Sequence, residues 1–344
     1  MKALVYFGPH DIRYTDVETP KPKPDEVLIK VRAVSICGSD ISGYKGQSAM
    51  RVPPLIMGHE FSGEIVGFGE TVSGFTAGDR VVVLTNLFCD GCADCKDGLT
   101  NVCDNRKIIG TTMLAGAYNG AMADYVVAPA EKVLLLPRHI SFNEAALIEP
   151  LAISLRAVKH AGSLPGKTVA VYGAGPIGLL AIQCIKNAGA KRIVAIEQNN
   201  DARLAMAIRC GATDTLNEKD DILARINEIT NRVGMDIVFD AAGVEATVNG
   251  SVDIVRNGGT IIWIGLAAAR IEFEFKHAVC KEITIQSTYM YTTEMEEGLE
   301  LLKTGKIDAG RIITGVYPLS EGPRIFEEVA RGTSQEIKII LTDA

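Results

Sequence analysis

Thr168-Val-Ala-Val-Tyr172-Gly173-Ala-Gly175-Pro176-Ile177-Gly178 is the stretch that decides the fold. A β-branched run ends in three glycines spaced G-x-G-x-x-G, and an apolar helical pattern follows over 177–188. The first glycine allows a tight turn, the second lets a diphosphate approach the backbone, and the third lets helix and strand pack closely. The sequence therefore predicts a strand, a phosphate-binding turn, and a helix whose free N–H groups point at the phosphates.

The next predicted strand ends in an acid. Arg192-Ile-Val-Ala-Ile196 precedes Glu197, which lies about 20 residues beyond the glycines, where a ribose-binding carboxylate is expected. Such a carboxylate accepts hydrogen bonds from the ribose hydroxyls and repels a 2′-phosphate, so the sequence favours NAD over NADP. The alternative for Glu197 is a solvated strand end, and Arg203, in the next helix, would lie near adenine or face solvent. The expected cofactor-binding residues are Gly173, Gly175, Pro176, Ile177, Gly178, Glu197 and Arg203.

The pattern of predicted secondary structure changes near residue 150. Residues 1–152 read as short strands broken by Gly and Pro, a β-barrel-like pattern. Residues 153–288 alternate strands with helices, which predicts a parallel, doubly wound sheet and an α/β class for this part. Residues 289–344 are expected to return to the first domain. They contain a predicted helix, 294–303, with Glu294 and Glu300 on a solvated face, and a final strand, 336–341.

Composition narrows the range of partners. The 344 residues are 47% hydrophobic and 22% charged, as in a soluble globular protein, and the formal net charge is −7. That acidic balance argues against nucleic acid or an anionic membrane as a partner. No apolar stretch reaches the roughly 18 residues that a membrane span needs. The chain starts with a strand-like segment rather than an export signal, so a cytoplasmic protein is expected.

Four cysteines cluster in one loop, 86–106. Cys89, Cys92, Cys95 and Cys103 are spaced C-x2-C-x2-C-x7-C, which lets four thiolates surround a tetrahedral zinc ion. Two disulfides, or an accidental cluster, are the alternatives, but a reducing compartment favours metal binding. The other cysteines, among them Cys280, fall within apolar segments and are expected in the core. The sequence predicts a closed structural zinc site, which performs no chemistry itself.

A second metal site is a candidate in the same domain. Cys37 and the Gly58-His59-Glu60 segment supply a thiolate, an imidazole and a carboxylate. A catalytic zinc requires about three protein ligands and one exchangeable position. A core cysteine and a histidine that caps a turn are the alternatives for Cys37 and His59.

With these motifs assembled, the chain resembles the zinc-dependent medium-chain alcohol and polyol dehydrogenases. The resemblance rests on Gly58-His59-Glu60-x2-Gly63-x5-Gly69-x2-Val72, on Cys37-Gly38-Ser39-Asp40, on the four-cysteine loop, on Glu149-Pro150 and on the glycine turn, in that family's order. Glu149-Pro150 is similar to the branch of sorbitol, butanediol, threonine and galactitol-phosphate dehydrogenases. The resemblance implies a GroES-like β-barrel catalytic domain and a Rossmann domain that binds NAD.

The resemblance also implies roles for individual residues. Cys37 and His59 would bind the catalytic zinc together with Glu60 or Glu149, one directly and the other through zinc-bound water. Ser39 would pass on the substrate proton, and Asp40 would orient the zinc histidine by accepting its other N–H. Cys89, Cys92, Cys95 and Cys103 would hold the structural zinc.

The chain departs from the family pattern at two positions. Ser42 stands where many relatives carry a histidine that completes the proton relay, so the proton would leave through Ser42 and water or through the cofactor ribose. Met290, between Tyr289 and Tyr291, stands where the sorbitol enzymes place an arginine. Because Met290 cannot hydrogen-bond a polyol, sorbitol itself becomes a less favoured substrate.

These observations predict a zinc enzyme that transfers hydride between NAD and a secondary alcohol of a polyol, sugar or cyclitol. Its pocket is expected near Tyr44, Tyr118 and Tyr289. A threonine 3-dehydrogenase-like enzyme is one alternative, and an inert zinc-stabilised NAD-binding protein is another. Family habit implies a homodimer or homotetramer, through the strand at 261–264 and the segment after it.

Overall fold

The computed structural model describes residues 1–112, 116–198, 200–217 and 219–343. It divides into two compact units. The first comprises Met1–Glu149, Met295–Thr304 and Ile313–Ala344, and the second comprises Pro150–Glu294 and Gly305–Ile312. The sequence places its domain boundaries after residues 152 and 288, whereas the units divide after 149 and 294, and 305–312 belong to the second unit.

The strands of both units follow the β-branched runs of the sequence. In chain order they are β1 Lys2–Gly8, β2 Asp11–Asp16, β3 Glu26–Ser35, β4 Leu55–Ile56, β5 Glu60–Phe68, β6 Arg80–Val83, β7 Asn86–Leu87, β8 Lys107–Ile108, β9 Tyr125–Pro129, β10 Val133–Leu135, β11 Thr168–Tyr172, β12 Arg192–Glu197, β13 Asp214–Asn217, β14 Met235–Asp240, β15 Val255–Trp263, β16 Thr284–Ser287, β17 Ile313–Pro318 and β18 Lys338–Thr342.

Several helices begin at a side-chain cap, such as Ser141 before α3, or at a proline, such as Pro176 in α5. In chain order they are α1 Gly38–Tyr44, α2 Ala93–Lys96, α3 Phe142–Ala145, α4 Ile148–His160, α5 Pro176–Asn187, α6 Asp201–Cys210, α7 Ile222–Thr230, α8 Glu245–Ile254, α9 Phe275–Cys280, α10 Glu294–Lys303 and α11 Gly322–Ala330. No helix in the described ranges is long and apolar enough to cross a membrane.

The second unit is built on one parallel sheet, ordered β13-β12-β11-β14-β15-β16. Its central strand, β11, is buried from Val169 onward and pairs with β12 on one side and β14 on the other. The order reverses at β11, which places the glycine turn that follows this strand at the point where such sheets bind dinucleotides. The predicted parallel, doubly wound sheet is confirmed.

The first unit is organised around β3, which pairs with β5, β9 and β18. The sheet order is β10-β6-β5-β3-β18-β17, and a smaller sheet contains β1, β2 and β4. Alternate residues of β3, such as Val27, Ile29 and Val31, are buried in one apolar core. The final strand of the chain therefore completes the sheet that begins near the amino terminus.

Two expectations for side chains are wrong. Glu294 is buried rather than solvated, because its carboxylate accepts the backbone N–H of Thr292 at 2.7 Å and lies 3.5 Å from the Arg156 guanidinium. Cys280 is exposed, because it is the last residue of the short helix α9 and its side chain lies outside the core.

Gly63 on β5 generates a stability prediction, since a Cβ there would lie 2.2 Å from the carbonyl oxygen of Lys30 on β3. Overpacking of this kind costs about 1–3 kcal/mol. We expect Gly63→Ala to lower the midpoint of thermal unfolding. Gly67 on the same strand is the matched control, because its Cβ would meet Leu28 Cβ at an ordinary 3.6 Å. Equal midpoints for Gly63→Ala and Gly67→Ala would contradict the prediction.

Candidate active site and metal centres

Strand register assembles the first candidate metal site. In the antiparallel pair of β3 and β5, Ser35 lies opposite Glu60. Cys37, just beyond the end of β3, therefore lies beside His59, just before the start of β5. The Cys37 thiol, a His59 ring nitrogen and a Glu60 carboxylate oxygen all lie within 4.8 Å of one another. The sheet thus converges three ligand types suited to a catalytic zinc.

Local backbone geometry positions the first two ligands. Gly58 has φ +99°, and a Cβ there would lie 2.9 Å from the backbone nitrogen of Met122, so only glycine fits before His59. Cys37 is the N-cap of α1, and its backbone N–H donates to the Asp40 carboxylate at 3.2 Å. The site is therefore held by a turn on one side and a helix start on the other.

The electrostatics of this site call for a cation. Burial and the neighbouring charges of Glu60 and Asp40 raise the pKa of the Cys37 thiol to about 12. Burial also raises the pKa of Glu149 to about 8, with Glu60 adding to the shift and His59 opposing it. Glu149 Oε2 has no hydrogen-bond partner among the described residues. Acidic groups crowded into a buried site with an unsatisfied oxygen fit a divalent ion well.

Lys338 is a member of the site that sequence reasoning missed. It begins β18, which pairs with β3 so that Ile340 lies opposite Ser35. Its buried ammonium donates to Glu60 Oε2 at 2.6 Å and to the carbonyl of Ile36 at 3.0 Å. Burial opposes the charged form, but Glu60 and Cys37 outweigh it and raise the pKa of Lys338. A charged residue opening an otherwise apolar strand is the only signal that the sequence offers.

A second buried cation, Arg51, was also missed. Its Nη2 lies 3.0 Å from Asp40 Oδ1 and 3.1 Å from the Ser39 hydroxyl. Asp40 Oδ1 lies 3.6 Å from His59 Nδ1, which is too far for a hydrogen bond, and this nitrogen has no hydrogen-bond partner in the described part of the chain. Arg51 follows an irregular loop, and no motif marks it.

The four-cysteine loop has the geometry of a closed zinc site. All four sulfurs lie within 4.8 Å of one another, with Cys103 at 3.5 Å from Cys89 and 3.8 Å from Cys92. Zinc–sulfur bonds of 2.3 Å in a tetrahedron give sulfur–sulfur distances of about 3.8 Å. A disulfide requires about 2 Å, so the two-disulfide alternative is wrong, and all four thiols are free. Backbone N–H groups of Gly91 and Cys92 lower the pKa of Cys89 to about 6, which favours its thiolate.

The glycine turn of the second unit matches its three expected roles. Gly173 has φ +87°. A Cβ on Gly175 would have nothing within 4 Å, which leaves room for a ligand against the backbone. A Cβ on Gly178 would lie 1.8 Å from the carbonyl oxygen of Gly173, so α5 can approach β11 only with glycine there. Pro176 and Ile177 form the first turn of α5, whose N-cap, Gly175, makes no side-chain cap.

Glu197 lies at the end of β12 beside this turn. One of its oxygens accepts the Ala174 N–H at 2.8 Å and lies 3.6 Å from the Arg203 guanidinium. Both residues therefore approach the turn, and Arg203 forms an ion pair with Glu197 while its side chain stays 35% exposed. A cavity of about 450 Å³ opens here, within the size range of ligand sites. Its lining includes Tyr172, Gly173, Ile196, Glu197, Leu223 and Val244.

Two of the three tyrosines expected at the substrate pocket are engaged elsewhere. The Tyr44 hydroxyl donates to Glu327 at 2.7 Å, and the Tyr118 hydroxyl donates to Glu26 at 3.2 Å. Burial is the main cause that raises both of their pKa values. These hydroxyls serve the packing of the first unit, because each satisfies a carboxylate within it.

Family models match both units of the chain. An "Alcohol dehydrogenase GroES-like domain" matches residues 23–138, and a "Zinc-binding dehydrogenase" domain matches residues 176–304. These matches confirm the fold class predicted from the sequence.

Relatives match over nearly the full length. A D-arabitol-phosphate dehydrogenase from Enterococcus avium is 37% identical and covers 97% of this chain and 94% of its own. A sorbitol dehydrogenase from Bacillus subtilis (strain 168) is 33% identical, with coverages of 99% and 97%.

Solved structures agree with these matches. A zinc-binding dehydrogenase from Sinorhizobium meliloti 1021, bound to NADP, has a TM-score of 0.90 at 29% identity, with coverages of 99% and 98%. A short chain alcohol dehydrogenase (rspB) from Escherichia coli CFT073, in complex with NADH, has a TM-score of 0.90 at 27% identity, with coverages of 99% and 99%. Taken together with the two family models in chain order, these likenesses show that the chain belongs to the zinc-dependent medium-chain dehydrogenases, in their polyol branch, and is an oxidoreductase that uses zinc and a nicotinamide dinucleotide.

Proposed function

We propose that this enzyme interconverts a secondary alcohol of a polyol, sugar or cyclitol and the corresponding ketone, with NAD as the redox partner. The single observation that carries the proposal is the convergence of Cys37, His59 and Glu60 within 4.8 Å. An inert zinc-stabilised protein has no need of that set, because the four-cysteine loop suffices for stability.

Cys37, His59 and Glu60 are proposed as the direct ligands of a catalytic zinc, and Glu149 as the carboxylate beside it. Glu60 belongs to the close cluster, whereas Glu149 contributes an unpaired oxygen at the same site. When bound, zinc acts as a Lewis acid toward the substrate oxygen, and the nicotinamide exchanges hydride with the carbon. Asp40 is proposed to orient the His59 ring from its Nδ1 side, where Oδ1 lies at 3.6 Å, and this would leave the other ring nitrogen for the metal.

Ser39 is proposed to move the substrate proton. It follows Cys37 by two residues on α1, and its hydroxyl lies close enough to contribute a hydrogen bond to the Cys37 thiol. A hydroxyl can accept one proton while it donates its own, so it can pass a proton onward without accumulating charge. General acid–base assistance of this kind contributes about 10²–10⁴ in rate.

The glycine turn and Glu197 are proposed to hold NAD. Gly173, Gly175, Pro176, Ile177 and Gly178 would contact the diphosphate. Glu197, together with Arg203, would meet the adenosine ribose, and its carboxylate would repel a 2′-phosphate. One structural relative is bound to NADP, so the proposed preference for NAD over NADP is worth testing.

The substrate class is supported by the names of the relatives, an arabitol-phosphate and a sorbitol dehydrogenase. Met290 offers no hydrogen bond to a polyol, so sorbitol itself is a less favoured member of the class. A threonine 3-dehydrogenase-like activity is the second candidate, since that enzyme shares the Glu149-Pro150 branch. Reduced thiols in both metal sets support a cytoplasmic location.

The first prediction concerns activity. With NAD, the zinc-loaded enzyme should form NADH, followed at 340 nm, with at least one of arabitol, xylitol, galactitol or their phosphates. The specificity constant with NAD should exceed that with NADP by about tenfold or more, equivalent to about 1.4 kcal/mol. Because the Glu197 carboxylate is proposed to repel the 2′-phosphate of NADP, Glu197→Ala should lower the ratio of the two specificity constants.

Two results of that assay would contradict the proposed polyol activity, and they can be told apart. L-Threonine as the best substrate would establish the second candidate. No NADH with any compound of the panel, from protein carrying its zinc, would establish the inert alternative.

The second prediction concerns metal content. Elemental analysis should find about two zinc ions per chain. Cys92→Ser should lower this by about one and lower the thermal midpoint, because a structural zinc contributes to folding. His59→Ala should also lose about one zinc but should mainly abolish activity. Cys280→Ser is the control, since that exposed cysteine belongs to neither set. Two zinc ions retained by Cys92→Ser would contradict the assignment of the loop.

The third prediction concerns assembly, which we propose is a homodimer or homotetramer. Leu266, Phe275 and Val279 in the second unit are 74%, 71% and 56% exposed, and exposed apolar side chains are candidates for a contact between chains. Light scattering should therefore give a mass larger than one chain. Phe275→Glu should reduce it, while Val316→Glu in the first unit should not. A wild-type mass of a single chain would contradict the proposal.

A further inference from the structure

Arg51 forms a buried ion pair with Asp40. Its side chain is 2% exposed, and its ion-pair partner, Asp40, is fully buried. Its Nε has no hydrogen-bond partner among the described residues, and its Nη1 reaches the Met50 carbonyl only at 3.4 Å. A buried guanidinium with an unsatisfied N–H is costly, and a buried ion pair is often no more stable than two apolar residues of similar volume. Stability alone therefore does not account for the pair of Arg51 and Asp40.

The neighbouring helix makes room for this side chain. Gly43 lies within α1, and a Cβ there would lie 2.5 Å from Arg51 Cγ. Gly43 does not have the positive φ that would itself favour glycine. Glycine inside a helix costs about 1 kcal/mol relative to alanine. Arg51 and Gly43 are therefore each unfavourable for stability, and they are linked because Gly43 leaves the space that the Arg51 side chain occupies.

What the two features achieve is a defined orientation of the Ser39 hydroxyl. A serine hydroxyl has one O–H to donate and two lone pairs to accept with, whereas a guanidinium only donates. Because Arg51 Nη2 donates to Ser39 Oγ at 3.1 Å, one lone pair is occupied and the hydroxyl proton must point away from Arg51. The second lone pair is left for an incoming proton, and the O–H, which lies close enough to bond the Cys37 thiol, leaves that bond when it passes its own proton on.

We propose that Arg51 is a positioning residue that fixes Ser39 for proton transfer, an inference that rests on the proposed function. As the alcohol is oxidised, its hydroxyl proton would bind to Ser39 Oγ while the original Ser39 proton would pass to a water molecule, and NAD would accept the hydride. Ser39 is neutral before and after, and Arg51 only donates hydrogen bonds. Arg51 contacts the Ser39 hydroxyl directly.

A double-mutant cycle tests this role with zinc-loaded enzyme. Arg51→Met should lower kcat by about tenfold or more, within the range of proton-transfer assistance, and should leave KM nearly unchanged. Arg51→Lys should restore part of kcat, because an ammonium can make one of the two bonds. In a Ser39→Ala background, Arg51→Met should cause almost no further loss, since coupled residues are not additive.

A second variant keeps the test independent of whether Arg51→Met folds. Gly43→Ala retains the guanidinium but displaces the aliphatic part of the Arg51 side chain. It should therefore lower kcat in enzyme that carries Ser39 and should not lower it in the Ser39→Ala variant. Arg32→Met is the matched control, because Arg32 pairs with Glu64 at 2.6 Å on the barrel surface and should leave kcat unchanged. Zinc content and the thermal midpoint are measured for every variant.

Several results would overturn the proposal. An unchanged kcat in Arg51→Met would do so, as would an equal loss in the Ser39→Ala background. Loss of zinc from Arg51→Met would also do so, because it would place the action of Arg51 on Asp40 and His59. A wild type without polyol activity would overturn the proposed function and this inference together, whereas an active wild type with an indifferent Arg51 would overturn this inference alone.

Discussion

The register of β3 against its two neighbours is the constraint on which the active site depends. Ser35 lies opposite Glu60 on β5 and opposite Ile340 on β18. A shift of one residue in either pair would turn each side chain to the other face of the sheet, so Glu60 or Lys338 would leave the site. The apolar core beneath these strands fixes that register, and the same packing that stabilises the first unit also places its ligands.

This register brings acidic and basic side chains together at one buried site, where the basic groups balance only part of the acidic charge. The acidic groups of the site are Cys37, Asp40, Glu60 and Glu149. Lys338 neutralises only Glu60, and Arg51 neutralises only Asp40. Burial raises the pKa values of the Cys37 thiol and of Glu149, although Lys338 opposes both shifts. A metal ion would complete the balance, because it favours the ionised forms that burial disfavours.

Sequence reasoning succeeds here where chemistry is encoded by short spacing. The four cysteines, the glycine turn with Glu197, and helix α10 over Glu294–Lys303 were all within reach of local patterns. It fails where a partner comes from far along the chain. Lys338 lies 278 positions from Glu60, and Arg51 approaches Ser39 from an irregular loop. Glu294 fails for the same reason, since its burial depends on Arg156 from another helix rather than on its own helical face.

The two buried cations also bear on how the two glutamates differ. Lys338 and the Ser35 hydroxyl both contact Glu60 Oε2, so only Oε1 of that residue is left for a metal. Glu149 Oε2 has no partner in the described part of the chain, and burial raises the pKa of Glu149 to about 8. Glu60 is therefore a fixed carboxylate that can offer one oxygen to a metal without moving, whereas Glu149 has an oxygen that no side chain holds. The fold thus gives two identical side chains different chemistry, because one is anchored by a strand and the other is not.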